Sequence, residues 1–110
     1  MAGPFDVGKM GQLFRQAQAM RERLEALQQE VGARVVEASA GGGMVTARVN
    51  GKLEVLGVAI DPQVFEGGDR EMLQDLIVAA LNEALRRAQE MMASEVAKLT
   101  GGLSLPGGGR

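Results

Sequence analysis

Asn50-Gly51 stands between two β-prone runs, Met44 to Val49 and Lys52 to Ile60. A two-residue type I′ turn needs positive φ at both central positions, and Asn-Gly adopts it most readily, so this dipeptide predicts an antiparallel hairpin. With Asn50 and Gly51 as the loop, Val49 faces Lys52, Ala47 faces Glu54 and Val45 faces Leu56, and that side continues into Val58 and Ile60. The opposite side then carries Met44, Thr46, Arg48, Leu53, Val55 and Ala59. A third β-prone run, Arg34 to Ala40, precedes the hairpin across Gly41-Gly42-Gly43. Apolar residues on both faces imply that one face is left for a partner, because two helices of a short chain cover only one face well.

Helical patterns flank these strands. From Lys9 onward, Met10, Leu13, Ala17, Met20, Leu24, Leu27 and Val31 recur at spacings of three and four, and Phe14 widens the seam. That spacing serves an intramolecular core and a dimeric coiled coil alike. A helix of this length, roughly 33 Å at 1.5 Å per residue, is expected to protrude in part beyond a small sheet. Gly32 stands where a left-handed C′ glycine would end it. Asp61-Pro62 stops the third strand, and residues 61–68 read as a connector. Asp69 is the expected N-cap of a second long helix, with Glu71 in its first turn. This helix runs to about Leu99 on an apolar stripe that includes Leu73, Leu76, Ile77, Ala80, Ala84 and Ala88, and Ala79-Ala80 leaves room for close approach. Gly101-Gly102 ends it. The expected organisation is a flexible leader over 1–8 with Phe5 docking, one domain over 9–100 and a flexible Gly/Pro tail over 101–110. The fold class is α+β, an α-β-β-β-α chain with an antiparallel three-stranded sheet between two long helices.

The chemistry available to such a chain is narrow. Its 110 residues suit one domain and one small core. With no Cys and no His there is no thiolate nucleophile, imidazole base, disulfide framework or usual zinc ligand set. Asp61, Glu66, Asp69 and Asp75 fall near one end of the sheet, but their spacing matches no metal or hydrolase pattern. No catalytic residue, metal ligand, cofactor or small-molecule substrate is therefore assigned, and the chain reads as a non-enzyme. The triple glycine lacks the following helix and the Lys-Ser/Thr pair of a phosphate loop, so it reads as a hairpin loop. No run of ~18 apolar residues occurs, which points to a cytoplasmic protein without a membrane partner.

Charge adds a further condition. Twelve Lys+Arg stand against 14 Asp+Glu, a net charge of -2, so binding to a polyanion has to come from placement and not from excess. Lys9, Arg15, Arg21 and Arg23 lie off the seam of the first helix, and Arg86-Arg87 lie side by side on the second. Glu83 to Arg87 and Arg86 to Glu90 also read as ordinary i,i+4 pairs. Pairing two subunits through their sheets would present every arginine twice, to phosphates on both flanks of a groove.

MGQLFRQAQAM, GGGMVTARVNGKLEV, VAIDP, REMLQDLIVAALNEALRRAQE and LTGGLSLPGG follow one another over roughly residues 9–107. In this order and spacing they resemble the YbaB/EbfC family of bacterial nucleoid-associated proteins. The resemblance implies a homodimer paired through the sheet region, with protruding helices, that binds, bends or compacts duplex DNA in the nucleoid and modulates gene expression. It also brings recombination and repair proteins in as candidate partners. Position by position, the family's basic residue in its RQAQ-like run falls on Arg15 and its Arg-Arg pair on Arg86 and Arg87. The family's late lysines have their counterpart in MMASEVAK, which holds Glu95 and Lys98. The candidate DNA contacts are thus Lys9, Arg15, Arg21, Arg23, Arg86, Arg87 and Lys98, and the candidate dimer contacts Met44, Thr46, Leu53, Val55 and Ala59. The alternative is a dimeric protein-interaction adaptor with incidental DNA contact, favoured if glutamates such as Glu22, Glu25 and Glu90 alternate everywhere with the arginines.

Overall fold

The computed structural model describes residues 7–101. The expectations for residues 1–6, Phe5 among them, and for the tail from residue 102 lie outside the described residues. Helix α1 spans Val7–Gly32, strands β1, β2 and β3 span Val35–Ala40, Val45–Asn50 and Val55–Ile60, and helices α2 and α3 span Pro62–Gly67 and Arg70–Thr100. The sheet is antiparallel in the order β1-β2-β3. The α-β-β-β-α order holds, with two differences at element boundaries. Helix α1 begins at Val7, before the apolar seam does. The expected connector contains α2, because Asp61-Pro62 starts a helix as well as stopping a strand. Asp61 Oδ1 accepts from Gln63 N at 2.9 Å, Pro62 sits where a free N–H has no helical partner, and left-handed Gly68 donates to the Phe65 carbonyl. Asp69 caps α3 as expected, accepting from Met72 N at 3.0 Å.

The core lies between α3 and the first two strands. Ala80, Ala84 and Ala88, one turn apart on α3, are fully buried against Ala38, Val45, Ala47 and Val49. Methyl-sized side chains at every fourth position bring the helix axis close to the sheet. Val31, Val45 and Val49 are the largest fully buried side chains, so the core is thin. The sheet's other face is mainly polar, with Val35 and Ala59 its apolar members. Glu37 pairs with Arg48 at 3.2 Å and Ser39 shares a hydrogen bond with Thr46 at 2.8 Å, each across the β1–β2 ladder. The expectation of a second apolar face is therefore corrected: the side away from α3 is one that water can solvate.

The hairpin register also differs from the expectation. Ala47 lies opposite Val58 and not Glu54, because the β2–β3 loop extends beyond the Asn-Gly pair to Glu54. The slip is four residues, an even number, so Val58 and Ile60 keep their expected side. A bulge between Arg48 and Val49 then sets Val55 opposite Val49, which moves Val55 to the α3 side of the sheet. Neither Asn50 nor Gly51 has positive φ; Leu53 does, at 66°. Asn50 organises the loop with its side chain, Oδ1 accepting from Lys52 N at 2.9 Å and Glu54 N at 3.0 Å while Nδ2 donates to Glu54 Oε1 at 2.7 Å. Gly51 is needed for proximity: a Cβ there would overlap the Val31 carbonyl at the end of α1. Gly32 is not left-handed, and α1 closes with Ala33 N and Arg34 N donating to Gln29, Glu30 and Val31 carbonyls.

Exposure along α1 follows a gradient. Val31 is 1% exposed, Leu24 and Leu27 are half-buried where α1 meets α3, and Leu13 is 63% exposed. The seam belongs to the core only at its C-terminal end. The rest projects, in a molecule measuring 82 × 29 × 16 Å.

Candidate nucleic-acid interface

The seven candidate DNA contacts divide into two groups. Lys9, Arg15, Arg21 and Arg23 lie on α1, and none of them has an ion-pair or hydrogen-bond partner among the described residues. Residues 7–21 contain no Asp or Glu, so the projecting half of the helix carries Lys9, Arg15 and Arg21 uncompensated. The helix N-terminus adds the positive end of its dipole to the same stretch. At about 100° per residue, Arg21 and Arg23 fall on opposite shoulders of the apolar seam and Arg15 on its back. The positive field thus surrounds the projection and does not form one stripe. Two further cations whose side chains have no such partner, Lys52 beside the hairpin loop and Arg70 in the first turn of α3, were not candidates, since neither stands on the projecting first helix nor in the Arg-Arg pair that directed the choice.

The second group is engaged. Arg86 is held by Glu83 and by Glu90, the latter at 2.6 Å, and Arg87 Nε by Glu83 at 2.9 Å. Arg87 also donates to the Glu37 carbonyl at 3.2 Å, tying α3 to β1. Lys98 lies 3.4 Å from Glu95, which also accepts from Arg34 at 3.3 Å. Hydrogen bonds from Arg86 and Arg87 hold the Glu83 carboxyl below its ordinary value, and the Glu83 hydrogen bond raises the Arg86 guanidinium above its own. For Glu95, burial pushes the carboxyl up, but hydrogen bonds from Lys98 and Arg34 outweigh it and the net shift is downward. Of the four carboxylates near one end of the sheet, to which no catalytic role was assigned, Asp61 and Asp69 cap helices. Among the described residues no cluster of acidic side chains is arranged to hold a metal ion.

The five candidate dimer contacts do not share one face. Thr46 and Ala59 are cross-strand partners on the polar side, Val55 is on the α3 side, and Met44 and Leu53 lie in the loops that precede β2 and β3. They lie on or around β3, most of which α3 leaves uncovered because it rests on β1 and β2, with Ile60 alone of β3 packed against the core. On β3, Val55 is 52% exposed, and Leu56 and Val58 are also exposed.

A small α+β body that extends the acid-free, cationic half of a long helix into solvent has the layout of a binding module for an anionic macromolecule. The chain belongs to the YbaB/EbfC DNA-binding family, whose profile matches residues 7–103. It is 49% identical over 105 residues to a nucleoid-associated protein of Thermoanaerobacter pseudethanolicus, covering 96% of this chain and 92% of that one. A nucleoid-associated protein of Syntrophobacter fumaroxidans is 53% identical over 94 residues, 86% of each chain. The fold is also similar to the crystal structure of an uncharacterized protein from Helicobacter pylori, with a TM-score of 0.70 and 25% identity over 88% of this chain and 99% of that one.

Proposed function

We propose that this protein is a homodimeric, nucleoid-associated architectural protein of the cytoplasm that binds duplex DNA, bends or compacts it and thereby modulates gene expression. Family membership and the relatives' description as nucleoid-associated support the DNA partner. The observation that carries the mechanism is the projecting half of α1, with cations that no carboxylate neutralises. Phosphate contacts come first from Lys9, Arg15, Arg21 and Arg23. Arg86, Arg87 and Lys98 join by exchanging an exposed carboxylate for a phosphate, a small cost because solvent-exposed ion pairs are weak. Two copies joined around β3 place two such helices on one duplex, and affinity then falls steeply with salt as counterions are released.

The test is the slope of log K against log[salt]. Replacing Arg15, Arg21 and Arg23 together by Ala is expected to reduce its magnitude by ~0.9 for each phosphate that each subunit no longer neutralises. Arg86→Ala should change it less. An unaltered slope in the triple variant sinks the α1 mechanism. The pairing of Arg86 and Arg87 with Glu83 and Glu90 favours a second reading, a dimeric adaptor for recombination and repair proteins. A slope near zero for the wild-type chain selects that reading.

A further inference from the structure

We infer that Phe14 is a wedge that enters the base stack of the bound duplex, opens one base-pair step and so sets the bend. The inference rests on the DNA-binding reading above and names the residue that deforms the DNA. Phe14 is 74% exposed, more than any other large apolar side chain among the described residues. The expectation that it widens the seam is corrected: it lies about 100° around the helix from Leu13, at 74% exposure, in a row with Gln18 and Arg21 one and two turns on. Those three line a shallow groove along α1, with Glu22 and Glu25 at its far end. The core of this chain therefore does not use the ring, and an α1–α1 coiled coil would hold the seam and leave the ring outside.

The surroundings define the occupant. Arg15 is adjacent, Arg21 is on the same face, and the first carboxylate of the helix is Glu22. An exposed aromatic ring among unneutralised cations complements a partner that is anionic outside and apolar and stacked inside, which is nucleic acid. Gly11 lies one turn before Phe14 on the same side, and a Cβ there would meet nothing within 4 Å. Packing within the chain does not require glycine at this point of a helix, where it is less favourable than alanine. The bare backbone lets the helix approach a sugar–phosphate wall closely while the ring reaches inward. Architectural proteins kink DNA by inserting apolar side chains at base steps, and pyrimidine–purine steps open at least cost, so a TA or CA/TG step is the substrate for the wedge.

The experiment compares the full chain with Phe14→Ala and Phe14→Leu on a duplex carrying fluorophores at both ends and 2-aminopurine at a central TA step. Wild type is expected to shorten the end-to-end distance and to brighten 2-aminopurine. Phe14→Ala should bind within about tenfold of wild type with the same salt slope, since phosphate contacts are untouched, and should lose both signals. Phe14→Leu should restore part of each. A Phe14→Ala protein that binds, bends and unstacks like wild type overturns the wedge, as does a wild type that binds without unstacking. Sedimentation is the control: an altered assembly state in Phe14→Ala assigns the ring to a protein contact and also overturns it. Failure of the wild type to bind DNA at low salt removes the underlying reading instead.

Discussion

Asn50 and Gly51 mark the hairpin for reasons other than the ones their sequence suggests. The dipeptide is a turn signal because both residues tolerate positive φ, yet neither uses it. Asn50 satisfies two loop N–H groups with its side-chain oxygen, and Gly51 admits the Val31 carbonyl. Gly51→Ala should therefore destabilise the fold by about 1–3 kcal/mol in denaturant titration, the range expected for forcing a methyl into filled space. A turn that needed only backbone freedom would lose less. The hairpin was legible from local spacing. The register was not, because the contact that places Gly51 comes from a helix ending almost twenty positions earlier. Asp69 was legible as a cap because capping is local; Asp61 was legible only as a stop, although the same Asp-Pro pair is a start signal for α2.

Helix α3 shows how far element-level reading extends. Its span follows from periodicity and flanking caps, and its alanines lie where close approach was expected. For α1 the same reading identifies the helix but not its fate, since spacing of three and four continues unchanged from the buried Val31 to the exposed Leu13. Burial depends on where α3 and the sheet end, which α1's own sequence does not encode. Ion pairs within α3, and the one from Glu95 to Arg34 just beyond the end of α1, give a pH prediction. Glu83 and Glu95 have folded-state values below the ordinary 4.5. Depressed carboxyls contribute stability that is present above that value and lost as pH falls through the folded values. The melting temperature should hold near neutrality and drop as pH is lowered from about 5 towards 3. Glu95→Gln should reduce that acid-side drop, because it removes the carboxylate shared by Arg34 and Lys98.

For the whole molecule, an elongated chain with net charge -2 leaves most of one strand of a three-stranded sheet uncovered by its own helix. Val55 lies in the uncovered part, on the α3 side and not on the polar face. Val55→Asp should convert the proposed dimer into a monomer or an insoluble chain, as read by sedimentation, because an unpaired carboxylate enclosed at such an interface costs several kcal/mol. A soluble dimer unchanged by it would place the contact elsewhere. The close fit of Gly51 under Val31 then acquires mechanical meaning. A helix roughly 39 Å long, fastened at one end, is a lever whose fulcrum is that fit, and any load on the far end arrives there as torque. A change of a single methyl at that hinge would be magnified into a larger displacement at the free end, so where the far half of α1 points is decided at its root.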